Sequence, residues 1–156
     1  MAQESDHIAL ANGNHEVLLE LLSCKKHYPE WVTTVAFYKA VQIVEAAIRN
    51  QLRRNSSNHD DRLGLLKRGR FKDKPLFKHL RFLLNASMIA RYLCDTNGKD
   101  DYKCFSDFLP AANVVEEVIR RRLVPLEQTA LEFLSDSAKK DLRKTNPAHL
   151  PRTPGA

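Results

Sequence analysis

The stretch from Glu30 to Arg62, EWVTTVAFYKAVQIVEAAIRNQLRRNSSNHDDR, constrains the chain most. Phe37, Val41, Val44 and Ile48 recur at steps of four, three and four, which is one face of an α-helix. Trp31, Val35 and Tyr38 extend that face, and Ala36, Ala40, Ala46 and Ala47 keep the remaining sides slim. A helix that is apolar round most of its circumference belongs at the centre of a bundle. Two polar residues, Gln42 and Glu45, follow Tyr38 along its stripe. They are expected either to find buried partners or to face a second protomer. Arg49, Arg53 and Arg54 close the segment, where cations suit the negative end of the helix dipole.

The rest of the chain agrees with a helical class. It has 156 residues, 5 of them Gly, and no convincing run of alternating β-branched residues, so one soluble all-α domain is expected. The net charge of +6 is unevenly placed. Between Arg49 and Arg81 eleven Lys or Arg stand against three Asp, a local +8, which favours phosphate-bearing ligands. Three cysteines at irregular spacing are not a secreted disulfide framework, so a reducing cytoplasm is the expected location. Cys24 and His27 have a spacing that could begin a zinc site, but no second pair completes four ligands, and neither metal nor cofactor is expected. The opening MAQESDHIALANG lacks a basic start and an apolar run, and no apolar run approaches the ~20 residues of a membrane span.

In order, residues 1–11 are predicted to be a flexible N-terminus. Asn12 or Asn14 is a candidate cap for a first helix whose buried stripe is Val17, Leu18, Leu21 and Leu22. Pro29 marks the turn into the central helix, so these two helices are antiparallel neighbours. Ser56 or Ser57 is a candidate cap for a short third helix ended by Gly69. RGRFKDK reads as a basic loop, and Asp73 and Pro75 open a fourth helix running to about Asp95. A fifth begins near Asn113 and is expected to kink or break at Pro125. Residues 139–156 read as a flexible basic tail with three prolines. The prediction is an antiparallel up-and-down bundle, four long helices plus a short one, over residues 12–138.

The core YKAVQIVEAAI, a following His near an Arg, and a downstream Ala-Arg-Tyr resemble the HEPN superfamily, and most closely its small stand-alone bacterial members. Tyr38, Glu45, Ala46, His59, Arg62, Ala90, Arg91 and Tyr92 carry the resemblance, which spans roughly residues 15–135. It implies a HEPN-like bundle, a homodimer, and one of two functions. One is a metal-independent ribonuclease of a toxin or defence system, with Arg54 and His59 catalytic because Arg54-Asn55-Ser56-Ser57-Asn58-His59 matches the Arg-x4-6-His string. In that chemistry a near-neutral His moves the ribose hydroxyl proton and an Arg binds the phosphate. The other is a non-catalytic module that dimerises and partners a nucleotidyltransferase or an antitoxin. Arg53, Arg62, Lys67, Arg68, Arg70 and Lys72 are candidate RNA or nucleotide contacts, and Glu45, Tyr38, Arg91 and Tyr92 candidate structural polar residues.

Overall fold

The structure, a computed structural model, describes residues 1–98 and 102–151. It is all-helical, with no strand among the described residues. Helix α1 spans Glu4–Ser23, α2 Pro29–Leu52, α3 His59–Leu65 and α4 Leu76–Tyr92. A π-helical segment, Val115–Leu123, runs into α5, Val124–Ala130, and α6 spans Asp136–Asp141. No helix among the described residues is long and apolar enough to cross a membrane.

The central position of α2 follows from its apolar circumference, and Phe37, Ala40, Ile43, Val44, Ala47 and Ile48 are all buried. Its neighbours are oriented by contacts that run along it in a fixed sense. Gln3, His7 and His15 of the first segment reach Arg49, Gln42 and Lys39 in that order, so α1 is antiparallel to α2. Arg70, before α4, meets Gln51, and Arg91 at its end meets Tyr38, so α4 is antiparallel too. Glu127 meets Lys39, while the Phe133 carbonyl accepts from Asn50 and Gln51, so α5 runs parallel to α2. The bundle therefore alternates in direction along the chain.

Several local expectations are corrected. The first helix begins at Glu4, well before Asn12, because Ile8, Ala11, His15 and Leu18 form a buried stripe against α2. Asn12 is not a cap. Its amide donates to the Asp141 carbonyl and accepts from the Arg143 N–H, clasping the far end of the chain. Val17 lies off the stripe and is 48% exposed. Trp31 is also off the core, 62% exposed. The cap of α3 is Asn58, whose side chain accepts from the Asp61 N–H. The basic loop is anchored by Phe71, which is buried and lies 4.7 Å from Phe133, centroid to centroid.

The helix continues through Pro125 without a break, and Val124 before it keeps helical angles. The strain is relieved upstream by π-helical winding, in which the Val124 N–H reaches back five residues to the Ile119 carbonyl. The wider turn makes room for the proline ring, which would otherwise press on the carbonyl four residues earlier.

The expected tail is packed as far as the described residues go; residues 152–156 lie outside them. After α6 the chain forms a strap, residues 142–151, with Leu142, Thr145 and Leu150 buried. Arg120 donates to the carbonyls of Pro147, Leu150 and Pro151, and Arg143 pairs with Glu16. The strap covers a buried polar cluster that no expectation included. Lys39 is 0% exposed, and its Nζ donates to Glu127 Oε1 at 2.5 Å, His15 Nδ1 at 2.9 Å and Thr145 Oγ1 at 3.0 Å. Glu127 also accepts from the Thr145 N–H at 2.7 Å and its hydroxyl at 2.8 Å. The hint was visible: Lys39 is the single lysine of a helix whose middle is mostly apolar.

Breaking such a pair from one side strands a buried charge. Lys39→Met and Glu127→Leu are each expected to lower stability by about 3–5 kcal/mol. The double variant should lose clearly less than the sum. Urea unfolding of all four proteins gives this cycle, and strictly additive losses would refute the coupling.

Candidate functional site

At the other end of α2, Glu45 is 4% exposed and needs partners. Arg62 Nε donates to its Oε1 at 2.6 Å, the Ser56 N–H donates to Oε2 at 3.1 Å, and the Ser56 hydroxyl completes the set. Arg62 is thereby buried and unavailable to a nucleic acid, which removes it from the candidate phosphate contacts. Its second arm, Nη1, lies 2.6 Å from His59 Nδ1. A guanidinium only donates, so Nδ1 accepts and the ring proton sits on Nε2. The imidazole packs against Phe37, with centroids 5.4 Å apart. Burial, then the charges of Arg62 and Arg91, hold its pKa below the usual value, against weaker opposition from Asp60 and Glu45. His59 is therefore a neutral Nε2–H donor near pH 7.

Arg91 of α4 stands beside it. Its Nε and Nη2 donate to the carbonyl and hydroxyl of Ser87 one turn earlier. Its Nη1 donates to the Tyr38 hydroxyl at 3.0 Å, with the Tyr92 hydroxyl at 3.5 Å. The guanidinium carbon lies 5.6 Å from the Tyr38 ring centroid and 4.9 Å from that of Tyr92. No carboxylate pairs with Arg91 among the described residues. Tyr92 is 59% exposed, and Trp31 shares the α2 face of Tyr38 two turns away.

Tyr38, Glu45, His59, Arg62, Arg91 and Tyr92 thus converge from three helices. Arg54 does not join them. Its Nη2 is held by Asp61 at 2.9 and 3.3 Å, so the Arg54–His59 pair expected from the string is not in contact. The Ser57 N–H, and then Arg54, hold the Asp61 carboxyl below its usual range. Asn55 turns away to donate to the Ala2 carbonyl. Gln42 and Glu45 both have internal partners, Gln42 Oε1 lying 2.7 Å from His7 Nδ1, so neither marks a second-protomer surface.

Of the basic candidates, Arg53, Lys67, Arg68, Arg70 and Lys72 are exposed. Arg53 sits in the left-handed conformation capping α2, Arg70 donates to Gln51, and Lys67 lies over the Phe77 ring at 4.4 Å. Phe77 and Arg91 stand near opposite ends of α4, about 20 Å apart by helical rise. The basic loop is therefore a separate patch. His79 of α4 is half-buried, and burial followed by Arg122 lowers its pKa. No three His, Cys, Asp or Glu side chains among the described residues gather as a metal site.

Neither the family models, the curated proteins nor the solved structures compared with this chain include a match.

The geometry makes His59 responsive to its neighbours. Arg91→Gln removes a positive charge and should raise the His59 pKa toward its ordinary value, with Nδ1 still the acceptor. Ring ¹⁵N titration reads both quantities. An unchanged pKa would show that Arg91 does not act on His59.

Proposed function

We propose that this is a HEPN-like RNA-binding module whose ligand lies across Tyr38, His59, Arg91 and Tyr92. The carrying observation is Arg91, a half-exposed guanidinium partnered by two phenols instead of a carboxylate. A phosphate supplies the missing anion and can accept from Nη1, the arm whose present partners are the two exposed phenols. Bases stack on the exposed faces of Tyr92 and Trp31, the arrangement by which single strands are held without sequence preference. The His59 Nε2–H donates to a phosphate oxygen. The basic patch about 20 Å along α4 offers a second anchor for a longer strand. A homodimer, and a nucleotidyltransferase or antitoxin partner, belong to this reading through the resemblance alone.

Binding is favoured over cleavage by the tautomer of His59. A general base needs an unprotonated nitrogen facing the substrate, but Nδ1 is occupied by Arg62 and Nε2 carries the proton. One observation favours the nuclease as a second reading: the imidazole is neutral and lies within electrostatic reach of a guanidinium that no carboxylate pairs, the two groups that metal-independent RNA cleavage uses. In that case Arg91, not Arg54, contacts the phosphate.

Anisotropy of a labelled single-stranded RNA, with chelator present, tests the binding site. Tyr92→Ala should weaken binding by about 1–3 kcal/mol, the value of one stacked base. Arg91→Ala should reduce the salt slope by about 0.7, one phosphate contact, and Arg54→Ala should leave the slope unchanged. Wild-type affinity in both Tyr92→Ala and Arg91→Ala would overturn the site. Cleavage that survives chelator and disappears in His59→Ala would replace the binding reading with the nuclease one.

A further inference from the structure

The Lys39 cluster has one feature that packing does not account for. Lys39 has three N–H donors and three acceptors, so it is a protonated ammonium with nothing left over. Burial pulls its pKa down, and Glu127 opposes that pull. The Thr145 hydroxyl accepts from Lys39 and donates to Glu127, and both Glu127 oxygens are occupied. Because the ammonium donates to His15 Nδ1, the His15 proton is on Nε2. That N–H is the network's unused donor: nothing among the described residues accepts from it, although His15 is only 7% exposed.

His15 lines a cavity of about 240 Å³ between α1 and the strap. On the strap side stand Lys144, Asn146 and His149, and the apolar wall includes Leu19 and Leu22. Lys144 has no carboxylate partner among the described residues. The Asn146 carbonyl oxygen is taken by the Ala148 N–H, which leaves its amide N–H groups to donate. The unengaged side-chain donors and cations here are the His15 Nε2–H, the Asn146 amide N–H groups and Lys144, with His149 able to donate or accept; Ser23 also lines the cavity, its hydroxyl proton given to the Glu20 carbonyl. The volume is below the ~300–1,000 Å³ of drug-sized sites, so the ligand is small.

We propose that this cavity binds a small organic carboxylate, its charged end received by His15 Nε2–H and Lys144 and its apolar body lying against Leu19 and Leu22. This site is independent of the Arg91 cluster. The free His15 has its pKa pushed down to about 4 by burial, then Lys39 and Arg143, against Glu16. The charged groups facing it are Lys39 from α2, Glu16 from α1, Arg143 and Lys144 from the strap, with His149 at the rim and Glu127 of α5 behind Lys39. An imidazolium would set an Nδ1–H against the Lys39 ammonium, so His15 receives the carboxylate as a neutral Nε2–H donor and affinity should stay level between about pH 8 and about 5.

The test is titration of the full chain with benzoate, followed by the His15 ring nitrogens and the backbone amides of the strap. A saturable shift of both, of similar affinity at both ends of that pH range, is expected. His15→Asn keeps an acceptor for Lys39 but is shorter, so its amide N–H no longer stands at the Nε2 position in the cavity, and Lys144→Ala/His149→Ala removes the rim while leaving the network whole. Each should weaken benzoate at least about tenfold, the factor of one lost charge-assisted hydrogen bond. Should His15→Asn fail to fold, as judged by circular dichroism, the rim variant decides alone. A non-saturating wild-type shift, or an unchanged affinity in the rim variant, would overturn the proposal.

Discussion

A helix buried round most of its circumference cannot leave an inward polar side chain without a partner, and α2 carries several. Gln42 is met by His7, Lys39 by His15, Glu127 and Thr145, Glu45 by Ser56 and Arg62, and Asn50 and Gln51 by the Phe133 carbonyl. The partners come from α1, from the turn before α3 and α3 itself, from α5 and Phe133 beyond it, and from the strap, so the polar residues of α2 specify where those segments dock. Apolar burial supplies the driving force without choosing a register. A buried ion pair adds little net stability, but a misdocked strap or turn would leave a charge stranded at a cost of several kcal/mol. The discrimination lies in that asymmetry.

This explains what sequence pattern could and could not reveal. The helices α2 and α4 are written in local apolar periodicity, and both are where that periodicity puts them. The start of α1 is hidden because Asn12, Gly13 and Asn14 look like a turn. Glycine in a helix interior costs about 1 kcal/mol, less than the burial of Ile8 and Ala11 returns. The strap is hidden for a different reason. Leu142, Thr145 and Leu150 have no helical or strand period and sit among Lys and Pro, and the Asn12, Lys39 and Glu16 side chains that hold them are over a hundred positions away. No local window contains both halves of such a contact.

The candidate site was legible in part for the same reason. Glu45, Arg62, Tyr38, Arg91 and Tyr92 were visible as a set of residue types, and the bundle brings them together. The Arg54–His59 pairing was read from adjacency along the chain, and adjacency does not decide which acceptor a guanidinium takes. Asp61, one turn into α3 and fixed by the Ser57 N–H, offers a carboxylate, and a charge-assisted bond to it outcompetes a neutral imidazole.

The two clusters on α2 share one wiring. In each, a buried carboxylate anchors a cation, and the cation donates to Nδ1 of a histidine: Glu127–Lys39–His15 at one place and Glu45–Arg62–His59 at the other. This inverts the arrangement in which a carboxylate accepts from Nδ1–H and makes the other nitrogen a better base. A cation at Nδ1 lowers the imidazole pKa and forces the proton onto Nε2, and both histidines are shifted in that direction. Such a histidine presents an oriented donor and does not take up a proton readily. Near neutral pH it suits the recognition of anionic oxygens better than proton abstraction. An imidazolium would turn an Nδ1–H against that same cation, so each histidine can receive an anion at Nε2 without taking up a proton.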